Sequence, residues 1–197
     1  GQEQSKGGQA QSKVGGSEGS GGTAEPDWGK LEESVTGIHE EWNDFQPEAA
    51  KAGAGLDKID AFSRKLDELT ISITQKDIYK GILSVSDLYQ ESIGFEKLFK
   101  TEAPPQLKVA MNQGKRAAYM ALHHDDKAAK ASIRQALKVW GDVRPQIRED
   151  KIAQKADHSI KELEQAIKAK DPNLIKIKAK ILEKNFQDVI KQFKEKK

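Results

Sequence analysis

From Asp27 onward the apolar residues recur at helical spacing. Trp28, Leu31, Val35, Ile38, Trp42 and Phe45 advance in steps of three and four, the seam by which one helix packs on others in a bundle. Asp27 stands at the N-cap, where its carboxylate can accept from the free amides of the first turn. Pro47 is expected to end or kink this helix, because it has no amide hydrogen and its ring crowds the carbonyl four residues back. A second helix, from about Leu56 to Thr74, carries Leu56, Ile59, Phe62, Leu66, Leu69 and Ile73 on one face. Lys76-Asp77 makes the turn into a third, with Ile78, Ile82, Val85, Leu88, Phe95 and Phe99 inward, which stops before Pro104-Pro105.

The fourth helix, about Gln106 to His123, has a stripe of small residues: Ala110, Gly114, Ala117, Ala118 and Ala121. A neighbour can approach such a stripe closely, which marks this helix as the central, most buried one. Asp125 and Asp126 open a fifth helix that runs through Trp140 to about Arg148. The sixth covers Lys155 to Lys168, and Asp171-Pro172 supplies the cap and first-turn proline of the last. Within that last helix Ile175 to Ile181 alternates apolar and polar like a strand. The longer window keeps the 3.6-residue period and the chain offers no partner strand, so a helix is expected there too.

The pattern also repeats. A shift of 98 places Asp27 on Asp125, Val35 on Ile133, Trp42 on Trp140 and Pro47 on Pro145; further on, a shift of 94 places Leu69 on Leu163, Lys76-Asp77 on Lys170-Asp171 and Leu88 on Leu182. The four-residue difference is about one helical turn, which a helix can lose while keeping its faces aligned. Shared apolar positions alone would mean little, but Trp, Asp and Pro also coincide in a chain with three Trp and six Pro. The expected fold is therefore all-α: an antiparallel bundle of about seven helices, residues 26–197, duplicating a three-helix unit. The units span 27–100 and 125–194, and a linking helix covers 106–124.

Composition adds a tail and a charge asymmetry. Residues 1–25 are rich in Gly, Ser and Gln with Val14 as the one sizeable apolar side chain, too little to offset ordering by burial, so a flexible tether is expected. The segment resembles the start of a mature bacterial lipoprotein, in which a lipidated cysteine precedes a polar spacer. That resemblance implies an extracytoplasmic, membrane-anchored protein; this chain departs from the pattern in having neither the cysteine nor a signal peptide. The lack of any cysteine excludes disulfides, thiolate metal sites and thiol nucleophiles within the sequence. Residues 1–100 hold 11 Lys and Arg against 18 Asp and Glu, and the remainder 22 against 13. An acidic front and a basic back either attract one another within the fold or simply form solvated helix faces.

Candidate chemistry is sparse. No nucleophile elbow or phosphate-binding glycine motif is present, and the basic back half interleaves its lysines with acids and shows no aromatic platform, so neither an enzyme nor a nucleic-acid binder is indicated and no cofactor is implied. Trp42-Asn43-Asp44-Phe45-Gln46-Pro47 recurs as Trp140-Gly141-Asp142-Val143-Arg144-Pro145. If the units face each other across a pseudo-twofold axis, Trp42, Asp44, Trp140 and Asp142 line a ligand cleft between them; otherwise both indoles are core anchors. His123, His124 and Asp125 are candidate metal ligands, with His39, His158 or Met120 as helpers. They equally fit histidines at the negative end of one helix and an aspartate capping the next. The leading expectation is a non-enzymatic tethered protein that binds a small ligand or protein partner; the alternative is a metal-binding protein.

Overall fold

The computed structural model describes residues 25–193. The tether expected over residues 1–25 lies outside them apart from Glu25. Among the described residues the fold is an all-helical bundle of seven α-helices: α1 (Trp28–Lys51), α2 (Leu56–Thr74), α3 (Ile78–Glu96), α4 (Pro105–Leu122), α5 (Asp126–Val143), α6 (Asp150–Ala169) and α7 (Pro172–Lys191). A single 3-10 turn, Arg144–Gln146, follows α5.

The caps are those the sequence specifies. The amide of Lys30 donates to Asp27 Oδ1 at 3.2 Å, Lys80 to Asp77 at 2.9 Å, Ala128 to Asp125 at 3.1 Å and Leu174 to Asp171 at 2.9 Å. Lys76 and Lys170, the residues before two of these caps, both adopt left-handed backbone with φ of 55° and 56°, reversing the chain in one step.

The fifth helix, expected to run to about Arg148, stops at Val143 and passes into the 3-10 turn that holds Pro145. Pro47 does not end its helix: α1 continues past it to Lys51. A proline removes only its own amide, and here the last turn is held by Ala49, which is fully buried, and by the bond from the Ala52 amide to the Glu48 carbonyl. The sixth helix also starts earlier than expected, at Asp150, and residues 175–181 are helical. There Ile175 is buried while Ile177 is 54% and Ile181 37% exposed, so the alternation reflects two faces of α7.

The core falls into two apolar clusters. One, within α1–α3, gathers Val35, Trp42, Phe62, Leu66, Leu69 and Phe95 among others. The other belongs to α4–α7, where α4 packs on α5 and α7, α5 on α6 and α6 on α7, closing a four-helix ring. The small-residue helix is thus part of the back half rather than a neutral link. A Cβ added at Gly114 would lie 3.0 Å and 3.1 Å from the methyls of Leu182, itself completely buried. Gly114→Ala should therefore lose about 1 kcal/mol net, overpacking of about 1–3 kcal/mol outweighing the roughly 1 kcal/mol of helix propensity that alanine adds. Urea denaturation of the two proteins measures it.

The join between the halves is partly apolar, with Leu83 of α3 packed against the back cluster, and partly polar. Ser86 Oγ donates to Asn112 Oδ1 at 3.0 Å and Asn112 Nδ2 returns a bond to the Ser86 carbonyl at 2.9 Å, both residues buried. Arg116 donates to the Leu83 carbonyl and to Asp87, and Lys108 pairs with Glu96. Helix α4 carries Lys108, Lys115 and Arg116 and no acid, and all three cations find carboxylates on α3 or α7. Two of these pairs, Lys108 with Glu96 and Arg116 with Asp87, join the acidic front to the basic back.

Several positions related by the shifts of 94 and 98 are buried in both halves. Ile59, Phe62, Leu66, Leu69, Ser72 and Ile73 of α2 are buried, and so are the six residues of α6 that lie 94 positions later. Val35, Trp42 and Ala49 are buried, as are Ile133, Trp140 and Ile147 at a distance of 98.

Candidate functional site

The two tryptophans proposed for a shared cleft are not brought together. Trp42 is 6% exposed and packs on Phe62, Phe95 and Phe45 at ring-centroid distances of 4.1, 5.5 and 6.1 Å. Trp140 is 4% exposed, belongs to the back cluster and meets Phe186 at 5.1 Å. Each indole anchors its own half. Trp42 Nε1 donates to Ser63 Oγ at 2.9 Å, and Trp140 Nε1 to Asp157 Oδ1 at 2.6 Å. Ser63 and Asp157 stand 94 positions apart, the shift that aligns their helices, so the same bond occurs at the same place in both halves. Asp44 and Asp142 are exposed on the outer faces of α1 and α5 and contribute to neither contact.

The histidine cluster is a helix junction. His123 caps the end of α4 and its ring lies 4.6 Å from that of Tyr79 on α3. His124 takes a left-handed φ of 63° to turn the chain, and the Asp125 carboxylate is occupied as the cap of α5. Among the described residues no group of three or more His, Asp or Glu side chains is placed to hold a metal. Consecutive residues around a tight reversal diverge, and none of His39, His158 or Met120 joins them: His39 bonds Thr70 across α1 and α2, His158 is exposed on α6 and Met120 accepts from Ser132. Nearby, the salt bridge from Lys170 holds the Asp126 carboxyl below its ordinary range.

What the fold does create is a groove over α3. Its volume is about 610 Å³. It is lined by Ile78, Ile82, Val85 and Tyr89 of α3, Leu69 and Ile73 of α2, Trp28 and Leu31 of α1, and Met111, Lys115 and Tyr119 of α4 with Gln187 of α7. Much of this apolar surface is open: Val85 is 53% exposed, Ile78 45%, Leu31 37% and Tyr89 36%. A second depression of about 440 Å³ continues the same faces of α1 and α3, lined by Trp42, Phe45, Phe62, Phe95 and Phe99. The polar groups at the rim are already paired, Lys115 with Glu183 and Arg116 with Asp87. Burial first, then the carboxylates of Glu96 and Glu183, push the Tyr89 hydroxyl up from its ordinary pKa.

No protein-family model, curated protein or solved structure matches this chain.

The groove residues were legible as apolar but were expected to face inward. A signal against that was present in α3, which sets Ile82 beside Leu83 and Leu88 beside Tyr89. Adjacent apolar residues on a helix point about 100° apart, so α3 has more apolar arc than one neighbour can cover.

Proposed function

We propose that this protein is a non-enzymatic, extracytoplasmic, membrane-tethered helical-bundle protein whose task is binding, and that the groove over α3 is where an apolar ligand or partner surface is taken up. The observation that carries this reading is the groove itself: a concave, largely apolar surface of about 610 Å³, in the range of volumes in which proteins hold ligands, whose charged lining residues Lys115, Glu183 and Arg116 are paired within the fold. Val85, Ile78 and Leu31 are open together, and covering what each still exposes would gain roughly 1 kcal/mol apiece. The tether part rests on the composition of residues 1–25 and on their resemblance to lipoprotein spacers.

Nile red, a neutral apolar fluorophore, tests the binding part. It should bind saturably and with a blue-shifted emission, and Val85→Asp or Leu31→Asp should weaken it by about tenfold or more, the affinity equivalent of one buried aliphatic side chain. Both positions are exposed, so circular dichroism of the variants should be unchanged. Binding that ignores both substitutions would end the reading. For the tether, the mass of the protein isolated from its native cells should show a lipid-modified cysteine ahead of Gly1; an unmodified cytosolic form would overturn it.

A further inference from the structure

The basic back half keeps one surface that neither the core nor the groove uses. On α7, Leu174, Ile177 and Ile181 are 43%, 54% and 37% exposed. They follow one another by 3 and 4 positions, so they stack on successive turns of one face. Ile175, Leu182, Phe186 and Val189 hold a different face of the same helix in the core.

Lysines border this stripe, and they are not used inside the fold. Lys176, Lys180 and Lys184 are exposed, and among the described residues none of the three is in an ion pair, unlike Lys178, which meets Glu162 of α6. The acids close by are occupied: Glu183 by Lys115, and Asp171 by the amides of Asn173 and Leu174. Asp188, one turn beyond Lys184, is half-buried and is the exception; Lys191 follows it three residues later.

Helix α6, which packs along α7, extends the same imbalance. Its four acids are all held by cations, Asp150 and Asp157 by Arg144, Glu162 by Lys178 and Glu164 by Lys168. Its Lys151, Lys155 and Lys161 are exposed and, among the described residues, in no ion pair. Once internal pairs are set aside, the charge this surface offers an outside partner is positive.

Each simpler occupant satisfies half of the surface. A second copy of the chain would set this patch against itself, as a twofold contact does, and would bring the rows of free lysines together. A polysaccharide or other soluble polyanion would use the lysines and leave the three aliphatics in water. An anionic bilayer takes both, the aliphatics at the acyl boundary and the ammonium groups among the headgroups.

We propose that the α6–α7 face is a surface for anionic lipid: Leu174, Ile177 and Ile181 enter the headgroup layer, and Lys176, Lys180 and Lys184 meet its phosphates and carboxylates. The surface is built by the back half alone, so the proposal rests neither on the groove over α3 nor on the tether.

The test sediments the whole chain, with no lipid attached, against vesicles of phosphatidylcholine and against vesicles of phosphatidylcholine mixed with phosphatidylserine. Binding should be at least about tenfold tighter to the mixed vesicles and weaken as salt rises, a lysine at such a surface contributing about fivefold. The triple variant Lys176→Gln, Lys180→Gln, Lys184→Gln should lose about tenfold or more. So should Ile177→Ser with Ile181→Ser, since the open parts of the two amount to roughly one aliphatic side chain. All five positions are exposed, and circular dichroism should show unchanged helix content in both variants. Binding that needs the lysines and ignores the isoleucines makes the face a patch for polyanions in general and overturns the lipid assignment. Absence of binding to the mixed vesicles overturns it too, whether or not sedimentation then reveals a dimer that Ile177→Ser dissolves. Val85→Asp should leave vesicle binding unchanged while it weakens Nile red binding; if it abolishes vesicle binding, lipid enters at the groove and the α6–α7 proposal falls. Loss of Nile red binding alone leaves this proposal standing and removes the reading of the groove.

Discussion

Replacing Phe186 by alanine should destabilise the protein by about 3–5 kcal/mol, the usual cost of deleting a buried phenyl ring. Phe186 has no exposed surface and stands edge-on to Trp140 at 5.1 Å in the middle of the α4–α7 ring. Its loss removes both the transferred apolar area and the contacts of the indole face, and the surrounding helices are tied by short turns that limit collapse into the cavity. Phe45→Ala is the matched comparison. That ring is 36% exposed and sits at the open edge of the front unit, within 6.2 Å of Phe99 and 5.9 Å of Phe95; its removal should cost no more than about 1.5 kcal/mol, since part of its surface is in water in the folded state. Urea unfolding followed by circular dichroism gives both values. Similar losses for the two would mean that the front aromatics are as deeply packed as the back ones, and that the open groove is an incorrect description of α1 and α3.

The contrast between those two rings shows what the sequence could and could not convey. Helical spacing located every helix, and the four aspartates at 27, 77, 125 and 171 capped the helices they were assigned to, because a cap is a local contact between a side chain and amides two or three residues on. Periodicity also identified which face of each helix is apolar. Whether another helix covers that face is a tertiary fact: Val85 and Ala179 occupy corresponding places in the pattern, yet Ala179 is partly buried against the back cluster while Val85 is 53% exposed. The same limit explains the tryptophans. Both were recognisable as a matched pair, but a matched pair is satisfied equally by two indoles meeting across an axis and by two indoles each buried in its own unit, and the chain takes the second course. Pro47 was misleading as a terminator for a smaller reason. A proline near the last turn deletes one bond, and the packing of Ala49 beyond it is enough to carry α1 to Lys51.

The two tryptophan anchors make the correspondence between the halves measurable, because they use the same bond with acceptors of different strength. Asp157 accepts from Trp140 Nε1 at 2.6 Å and from Arg144 Nε at 3.0 Å, while Arg144 also reaches Asp150 at 2.7 Å. The two carboxylates hold the Arg144 guanidinium more firmly protonated than usual, Asp150 first and Asp157 second. Asp157→Ala therefore strands an indole N–H within the packed corner and removes one arm of the arginine clamp at the point where the 3-10 turn leads into α6. Bonds to a charged acceptor are worth about 1.5–3 kcal/mol, so a loss of about 2–3 kcal/mol is expected. Ser63→Ala at the matching position deletes a neutral acceptor with no arginine attached, and should cost about 0.5–1.5 kcal/mol. Asp157→Ser should fall between Asp157→Ala and the unaltered protein, since it restores the acceptor the front half uses but not the charge. If Asp157→Ala proves no more costly than Ser63→Ala in chemical denaturation, the carboxylate adds nothing to the corner, and the likeness of the two anchors is one of shape alone.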